Sequence, residues 1–277
     1  MKETRHYPFF TAEKPKVFGH RGAAGVAPEN TLASFERALA DGADFMELDL
    51  RESKDGELLI IHDATLERTT NGRGEIRKRE LKELKSLDAG YWFTLDGGVT
   101  YCYRGQKIEI PTLEEFFSTF PQVRATIEIK QAGPGFVKKL VATVRRFGRE
   151  DWVLLATEED EVMREIRKEI RAHDLGLATG FSCGEVASFM HWVWEGRCGT
   201  FTPPGQALQI PCTYGARNLI TEQTVRAAHD LGLEVHAWTI NDAEEVKWLL
   251  SIGVDGIITD YPARVRELDA RIASCRK

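Results

Sequence analysis

Two histidines, three carboxylates and two cationic side chains stand where short apolar runs end or alternate. His20-Arg21 closes the run beginning Lys16-Val17-Phe18 and opens onto a glycine, and His62-Asp63 closes Leu58-Leu59-Ile60-Ile61. Glu47 and Asp49 lie two apart within Phe45-Met46-Glu47-Leu48-Asp49-Leu50, and Glu128 and Lys130 lie two apart within 124–130. Residues i and i+2 of a strand share a face, so each pair projects together, with Leu48 and Leu50 on the other face. Converging carboxylates are costly to bury unless something binds them. Oxygen ligands from Glu47, Asp49 and Glu128 suit one hard divalent cation, Mg2+ or Ca2+. The alternative is a layer of ion pairs, in which Lys130 and Arg21 neutralise the carboxylates without a metal. Imidazoles that titrate near neutrality let one ring remove a proton while the other donates one. The Arg21 guanidinium is shaped for bidentate contact with phosphate. Together these groups supply the charge neutralisation and the two proton transfers that displacement at phosphorus requires. Phosphodiester cleavage is the leading chemistry.

Such residues must be held by a repeating framework, and the sequence alternates short β-rich runs with amphipathic stretches. Strands are expected at 16–20, 45–51, 124–130, 152–157, 176–182, 207–210, 217–220, 234–240 and 255–259, with 58–62 joined to 45–51 through the Asp55-Gly56 turn. Helices are expected at 30–42, 112–120, 135–147, 160–171, 184–194, 222–231, 242–252 and 263–274; the first carries Leu32, Phe35 and Leu39 on one face, Asn30 or Thr31 as cap and Gly42 as stop. About eight strand–helix units without a linker predict an α/β fold of one domain over 1–277, a closed (β/α)8 TIM barrel. An open doubly wound sheet is the runner-up. The sequence contains neither G-x-G-x-x-G nor G-x-x-x-x-G-K-[ST], which removes the usual nucleotide-binding reason to prefer it. In such a barrel the active site gathers at the C-terminal strand ends. His20, Arg21, His62, Glu128, Lys130, His236, Trp238, Asn241 and Asp260 are expected there, with Glu29 and Asn30 in the first loop. Residues about 64–110 break the rhythm, with a helical piece near 79–87 and the aromatics Tyr91, Trp92, Phe93, Tyr101 and Tyr103. They read as a small insertion after the second barrel strand, lying over one end of the fold.

Composition narrows the partners. The 277 residues carry 37 Lys plus Arg against 43 Asp plus Glu, a net charge of −6, which argues against a nucleic-acid footprint. An anionic small-molecule substrate must then be met by local cations such as Arg21 and Lys130. The five cysteines are odd in number, scattered and without C-x-x-C, which points to a reduced, cytoplasmic protein. No apolar run of the length of a signal peptide core or a transmembrane segment is visible. The aromatic stretch Phe189–Trp194 is an oligomer contact or, more commonly for such a stretch, a helix face buried on the barrel. His6, His173, His191 and His229 fall on presumed helices or tails and are assigned no chemistry.

The run His20-Arg21-Gly22, Pro28-Glu29-Asn30-Thr31, Glu47-Leu48-Asp49 and His62-Asp63 resembles the opening of the glycerophosphodiester phosphodiesterase family. Thr65-Leu66-Glu67-Arg68-Thr69-Thr70-Asn71-Gly72 is similar to that family's segment leading into its insertion. Glu128-Ile129-Lys130, His236–Asn241 and Asp255–Pro262 are similar to its later motifs, so the resemblance covers about 16–265. It implies a (β/α)8 barrel and hydrolysis of glycerophosphodiesters to glycerol 3-phosphate and an alcohol. It implies a divalent cation on Glu47, Asp49 and Glu128, with Glu29 close by as a further candidate ligand. It also implies His20 and His62 as the acid–base pair, and Arg21 and Lys130 on the phosphate. Trp238 and the insertion's aromatics would then wall the pocket or simply pack. A lysophospholipase D, which needs an apolar groove such as the Tyr91–Phe93 cluster would line, and a non-catalytic phosphate-binding barrel are the rival readings.

Overall fold

The computed structural model describes residues 7–275; His6 and the rest of the first six residues lie outside it. Eleven strands are described: β1 (Lys16–His20), β2 (Phe45–Glu52), β3 (Leu58–Ile60), β4 (Arg124–Ile129), β5 (Val153–Ala156), β6 (Ala178–Thr179), β7 (Ala207–Pro211), β8 (Thr213–Tyr214), β9 (Arg217–Asn218), β10 (Glu234–Trp238) and β11 (Gly256–Thr259). Between and after them run α1 (Leu32–Ala40), α2 (Leu81–Leu84), α3 (Leu113–Thr119), α4 (Phe136–Arg146), α5 (Asp160–Ala172), α6 (Cys183–Trp194), α7 (Glu222–Asp230), α8 (Ala243–Ser251) and α9 (Pro262–Cys275). Eight parallel strands follow the order β6-β5-β4-β2-β1-β11-β10-β7. A single parallel bridge, Gly180 to Ala207, joins the two ends of that order and makes a nearly closed barrel. The expected (β/α)8 fold is therefore the one observed.

Period-two alternation sorts β2 into two layers. Met46, Leu48 and Leu50 face outward into the shell beneath the helices, against Phe35, Leu113 and Phe116. Phe45 faces inward with Phe9, Phe18, Leu154, Ala178, Ala207 and Ile258. This apolar plug fills the barrel below the polar layer that Glu47 and Asp49 begin. Register then brings side chains from different strands together: His20 pairs with Glu47, and Asp49 with Glu128.

Three segments depart from expectation. Residues 217–220 are not a barrel strand; Arg217–Asn218 folds back antiparallel on Thr213–Tyr214 around Gly215, whose φ of +58° suits a tight turn. The strand expected over 176–182 narrows to two residues between Gly176 and Gly180. The helix near 79–87 is the four-residue α2, preceded by a 3-10 turn at Ile76–Lys78. The segment between β3 and α3 packs on an aliphatic cluster including Leu59, Ile61, Leu66, Leu84 and Ile110. Of its aromatics, Tyr91, Trp92 and Tyr101 surround Arg104, whose guanidinium sits 3.7 Å from the Tyr101 ring centre and 4.2 Å from that of Tyr91, while Phe93 packs on Tyr103. Phe189, Met190 and Val193 of the aromatic stretch on α6 are buried.

Candidate active site

The site begins with a sharp turn after β1. Arg21 and Asn30 both hold left-handed backbone, at φ 52° and 56°, and Gly22 stands at φ +88°. Non-glycine residues seldom adopt this conformation, and where they do the surrounding structure must enforce it. Here the Arg21 carbonyl accepts from Asn30 N (2.9 Å) and Ser34 Oγ (3.1 Å), and a Cβ on Gly22 would lie 2.4 Å from Ser34 Oγ. The turn aims the Arg21 amide at Glu47, whose Oε2 accepts from it at 3.0 Å. Asn30 is no helix cap. That role falls to Thr31, which accepts from Ser34 N, while the buried Asn30 donates to Asp49 Oδ2 at 2.8 Å.

Glu47, Asp49 and Glu128 converge, with one ligand oxygen from each within 4.8 Å of the others. Some cationic partners anticipated by the ion-pair alternative are present. Lys130 Nζ lies 2.6 Å from Glu128 and 3.6 Å from Asp49, and Arg21 Nε lies 3.1 Å from Asp49 Oδ2. They reach Asp49 and Glu128 better than Glu47, which has His20 Nε2 at 3.9 Å beside the Arg21 amide. Burial and the neighbouring Asp49 accordingly push the Glu47 carboxyl up to about 8. Burial also raises Glu128, against the pull of Lys130. Burial alone would lower Lys130, but Glu128 and Asp49 outweigh it and hold the ammonium more firmly protonated. This all-oxygen, partly uncompensated donor set fits a hard divalent cation.

Each mouth histidine leans on a carboxylate through Nδ1. His20 meets Asp260 Oδ1 at 2.7 Å, and His62 meets Asp63 Oδ1 at 2.7 Å. Burial would lower the His20 pKa, but the Asp260 bond and the Glu47 charge more than offset it, and the imidazole ends raised. Asp260 is itself fixed by Asn241, whose amide nitrogen donates to Oδ2 at 2.6 Å. Arg21 Nη1 bonds Glu29 at 2.8 Å, and its buried Nε is off the hydrogen-bonding direction to Asp49 and has no hydrogen-bond acceptor. His62, Glu29 and Asn30 line a cleft whose other wall includes Thr69, Ala89 and Ile110. The aromatics of residues 91–103 do not appear in that wall. Trp238 sits part-exposed at the end of β10.

His236 does not belong to the mouth. It is fully buried two residues into β10, with Nε2 on Glu234 (3.0 Å) and Nδ1 beside Gln209 (3.2 Å), and it packs on the Phe18 ring. The strand-end expectation fails because His236 is the middle residue of β10, which runs on to Trp238, so its side chain lies inside the barrel below the mouth. Two supporting groups went without a role in the sequence. Asp260 was legible as a polar strand end, but its partner His20 is 240 positions away. Arg68, five residues after Asp63, was visible only as part of a motif.

The sequence model of the glycerophosphoryl diester phosphodiesterase family matches residues 20–264. A glycerophosphodiester phosphodiesterase of Caldanaerobacter subterraneus subsp. tengcongensis is 33% identical over 261 residues, covering 90% of this chain and 95% of the relative. One of Bacillus altitudinis is 32% identical over 255 residues, covering 90% and 96%. Among solved structures, an Oleispira antarctica phosphodiesterase in complex with the product sn-glycerol-3-phosphate superposes with a TM-score of 0.70 at 28% identity, covering 92% of this chain and 97% of the other.

Proposed function

The chain belongs to the glycerophosphoryl diester phosphodiesterase family, and from that premise we propose that it hydrolyses glycerophosphodiesters to glycerol 3-phosphate and an alcohol with the help of one divalent cation, Mg2+ or Ca2+. The observation that carries the cation is Glu47: a buried carboxylate facing Asp49 and Glu128, with less cationic compensation than either. Glu47, Asp49 and Glu128 would hold the ion, which supplies charge neutralisation at the phosphoryl oxygens.

The chain's own groups carry the protons. An attacking hydroxyl, of water or of the neighbouring glycerol carbon, bonds to phosphorus as the bond from phosphorus to the alcohol oxygen breaks. One histidine takes the attacking hydroxyl's proton and the other protonates the leaving oxygen, and water opens the cyclic phosphate where the glycerol hydroxyl attacked. His20 and His62 are the pair, because in each a carboxylate occupies Nδ1 and leaves Nε2 for the substrate. Arg21 and Lys130 hold the phosphate. Their place beside the carboxylate cluster supports that role, the guanidinium being shaped for bidentate contact with phosphate. Glu29 and Asn30 steady Arg21 and Asp49, and Trp238 stands at the rim. Residues 64–110 are read as an insertion within a single domain. The free thiols Cys102, Cys183, Cys198 and Cys212 support a reducing, cytoplasmic setting.

The test follows glycerol 3-phosphate release from glycerophosphocholine by the purified protein, with chelator and with Mg2+ or Ca2+ restored, beside H20A and E47Q. Turnover lost with chelator, regained with metal and absent in both variants is the expected result. Chelator-insensitive turnover would return the carboxylates to the ion-pair reading. Cleavage of a lysophospholipid in place of glycerophosphocholine would reassign the substrate, and no cleavage of any diester would leave a binding protein.

A further inference from the structure

Arg68 lies outside every role assigned above, yet its guanidinium joins the two halves of the site. Nη1 and Nη2 clasp Glu29, at 2.6 Å to Oε2 and 2.7 Å to Oε1. Nε and Nη2 clasp Asp63, at 2.6 Å to Oδ2 and 3.1 Å to Oδ1. All three guanidinium nitrogens are used, in two bidentate contacts. Each carboxylate so held has a second cationic or imidazole partner: Glu29 Oε1 also takes Arg21 Nη1, and Asp63 Oδ1 takes His62 Nδ1. The chain Arg21–Glu29–Arg68–Asp63–His62 is therefore continuous from the phosphate-facing guanidinium to one of the two mouth histidines.

Exposed ion pairs usually contribute little, and the Arg68 side chain is 48% exposed. Two features set this one apart. The bidentate geometry fixes the orientation of both carboxylates, which a single contact does not. The arginine also stands on an ordered turn between buried Leu66 and buried Thr70, whose hydroxyl donates to the Leu66 carbonyl at 2.8 Å and accepts from Gly72 N at 2.9 Å. Its anchorage is thus independent of the residues it orients.

We propose that Arg68 is a positioning residue: by clasping Glu29 and Asp63 together it holds His62 in the Nδ1–H tautomer, with Nε2 toward the substrate, and holds Arg21 in place for the phosphate. The consequence for turnover rests on the phosphodiesterase reading; the tautomer does not.

R68A, R68Q and R68K are compared with wild type by steady-state kinetics on glycerophosphocholine, by thermal unfolding, and by 15N NMR of the ring of His62. Partners that orient a reacting ligand typically cost 10–100-fold when removed. The expected result is therefore a fall in kcat of about 10–100-fold in R68A and R68Q, with a smaller change in KM and a mixed tautomer at His62. R68K, able to serve one carboxylate well, recovers part of kcat. A wild-type kcat in R68A, or a lowered melting temperature with kcat and tautomer unchanged, overturns the proposal. Should R68A fail to fold, R68Q and R68K are read by the same criteria. If the wild type cleaves no glycerophosphodiester, the functional reading fails on its own, and an unchanged His62 tautomer in the variants then refutes the role of Arg68.

Discussion

Replacing Asp260 by Asn should disable His20 through its tautomer while leaving the fold intact. Asn241 fixes the geometry that makes this so. Its Oδ1 accepts from Asp260 N and Thr259 Oγ1, both at 3.0 Å, so its amide nitrogen must face Asp260 Oδ2, at 2.6 Å. An amide at 260 would turn its oxygen to Asn241 and its NH2 to His20. His20 Nδ1 would then have to accept, the ring proton would move to Nε2, and the nitrogen facing the site would carry the wrong hydrogen. Hydrogen bonds to charged groups contribute about 1.5–3 kcal/mol, which at about 1.4 kcal/mol per decade is a loss of about 10–100-fold. The tautomer error extends the range, since the same exchange in a serine protease triad costs about 10⁴ in kcat. We expect kcat to fall by about 10²–10⁴, with the melting temperature little changed. The pH profile gives a second reading. The Asp260 bond and Glu47 together overcome burial to raise the His20 pKa, so in D260N burial has more of its way. The rate limb set by His20 moves to lower pH. A D260N protein within about threefold of wild-type kcat with an unmoved pH profile would refute the orientation of His20 by Asp260.

Three further outcomes are expected. E47Q removes the buried carboxyl that is pushed up to about 8; calorimetric titration with Mg2+ or Ca2+ should show cation affinity lowered by at least about tenfold, since a ligand charge is lost, and equal affinity would sink the three-carboxylate site. D255N tests stability against pH. Burial would raise the Asp255 pKa, but Lys14, Val235 N (2.8 Å) and His229 (2.9 Å) hold it low. Its stabilisation is present above the ordinary Asp value near 3.9 and lost as pH falls through the lower folded value. Urea midpoints should therefore put D255N about 1–3 kcal/mol below wild type at neutral pH, the gap closing in acid; a constant gap would refute the ionic origin. G22A places a Cβ 2.4 Å from Ser34 Oγ at φ +88°, so it should lose about 1–3 kcal/mol and much of its turnover as the Arg21 turn deforms. A wild-type melting temperature would show that the turn yields more easily than its contacts imply.

What was legible in the sequence follows from which contacts are local. Glu47 with Asp49 and Glu128 with Lys130 could be paired because a strand's alternation is fixed within three residues. Leu48 and Leu50 face the outer shell as that alternation requires. Which strand stands beside which is a property of the closed barrel, and the shear that sets Asp49 opposite Glu128 leaves no local trace. The supporting layer is less legible still. Asp260 reaches His20 across 240 positions and Arg68 reaches Glu29 across 39; each is an ordinary charged residue until the fold supplies its partner. His236 shows the converse error. A histidine in a polar-ended strand looks like mouth chemistry, but β10 runs two residues beyond it to Trp238, and Glu234 bonds both His236 and the buried Lys16. Lys16 is itself the first residue of β1, so this lower layer is built from strand beginnings and the reactive layer from strand ends. With the Phe9–Phe18–Phe45 plug between the two layers, charge on Glu234 and charge on Glu47 are kept apart, and the mouth carboxylates find their compensation within their own layer, from Arg21, Lys130 and His20, with Glu47 served least.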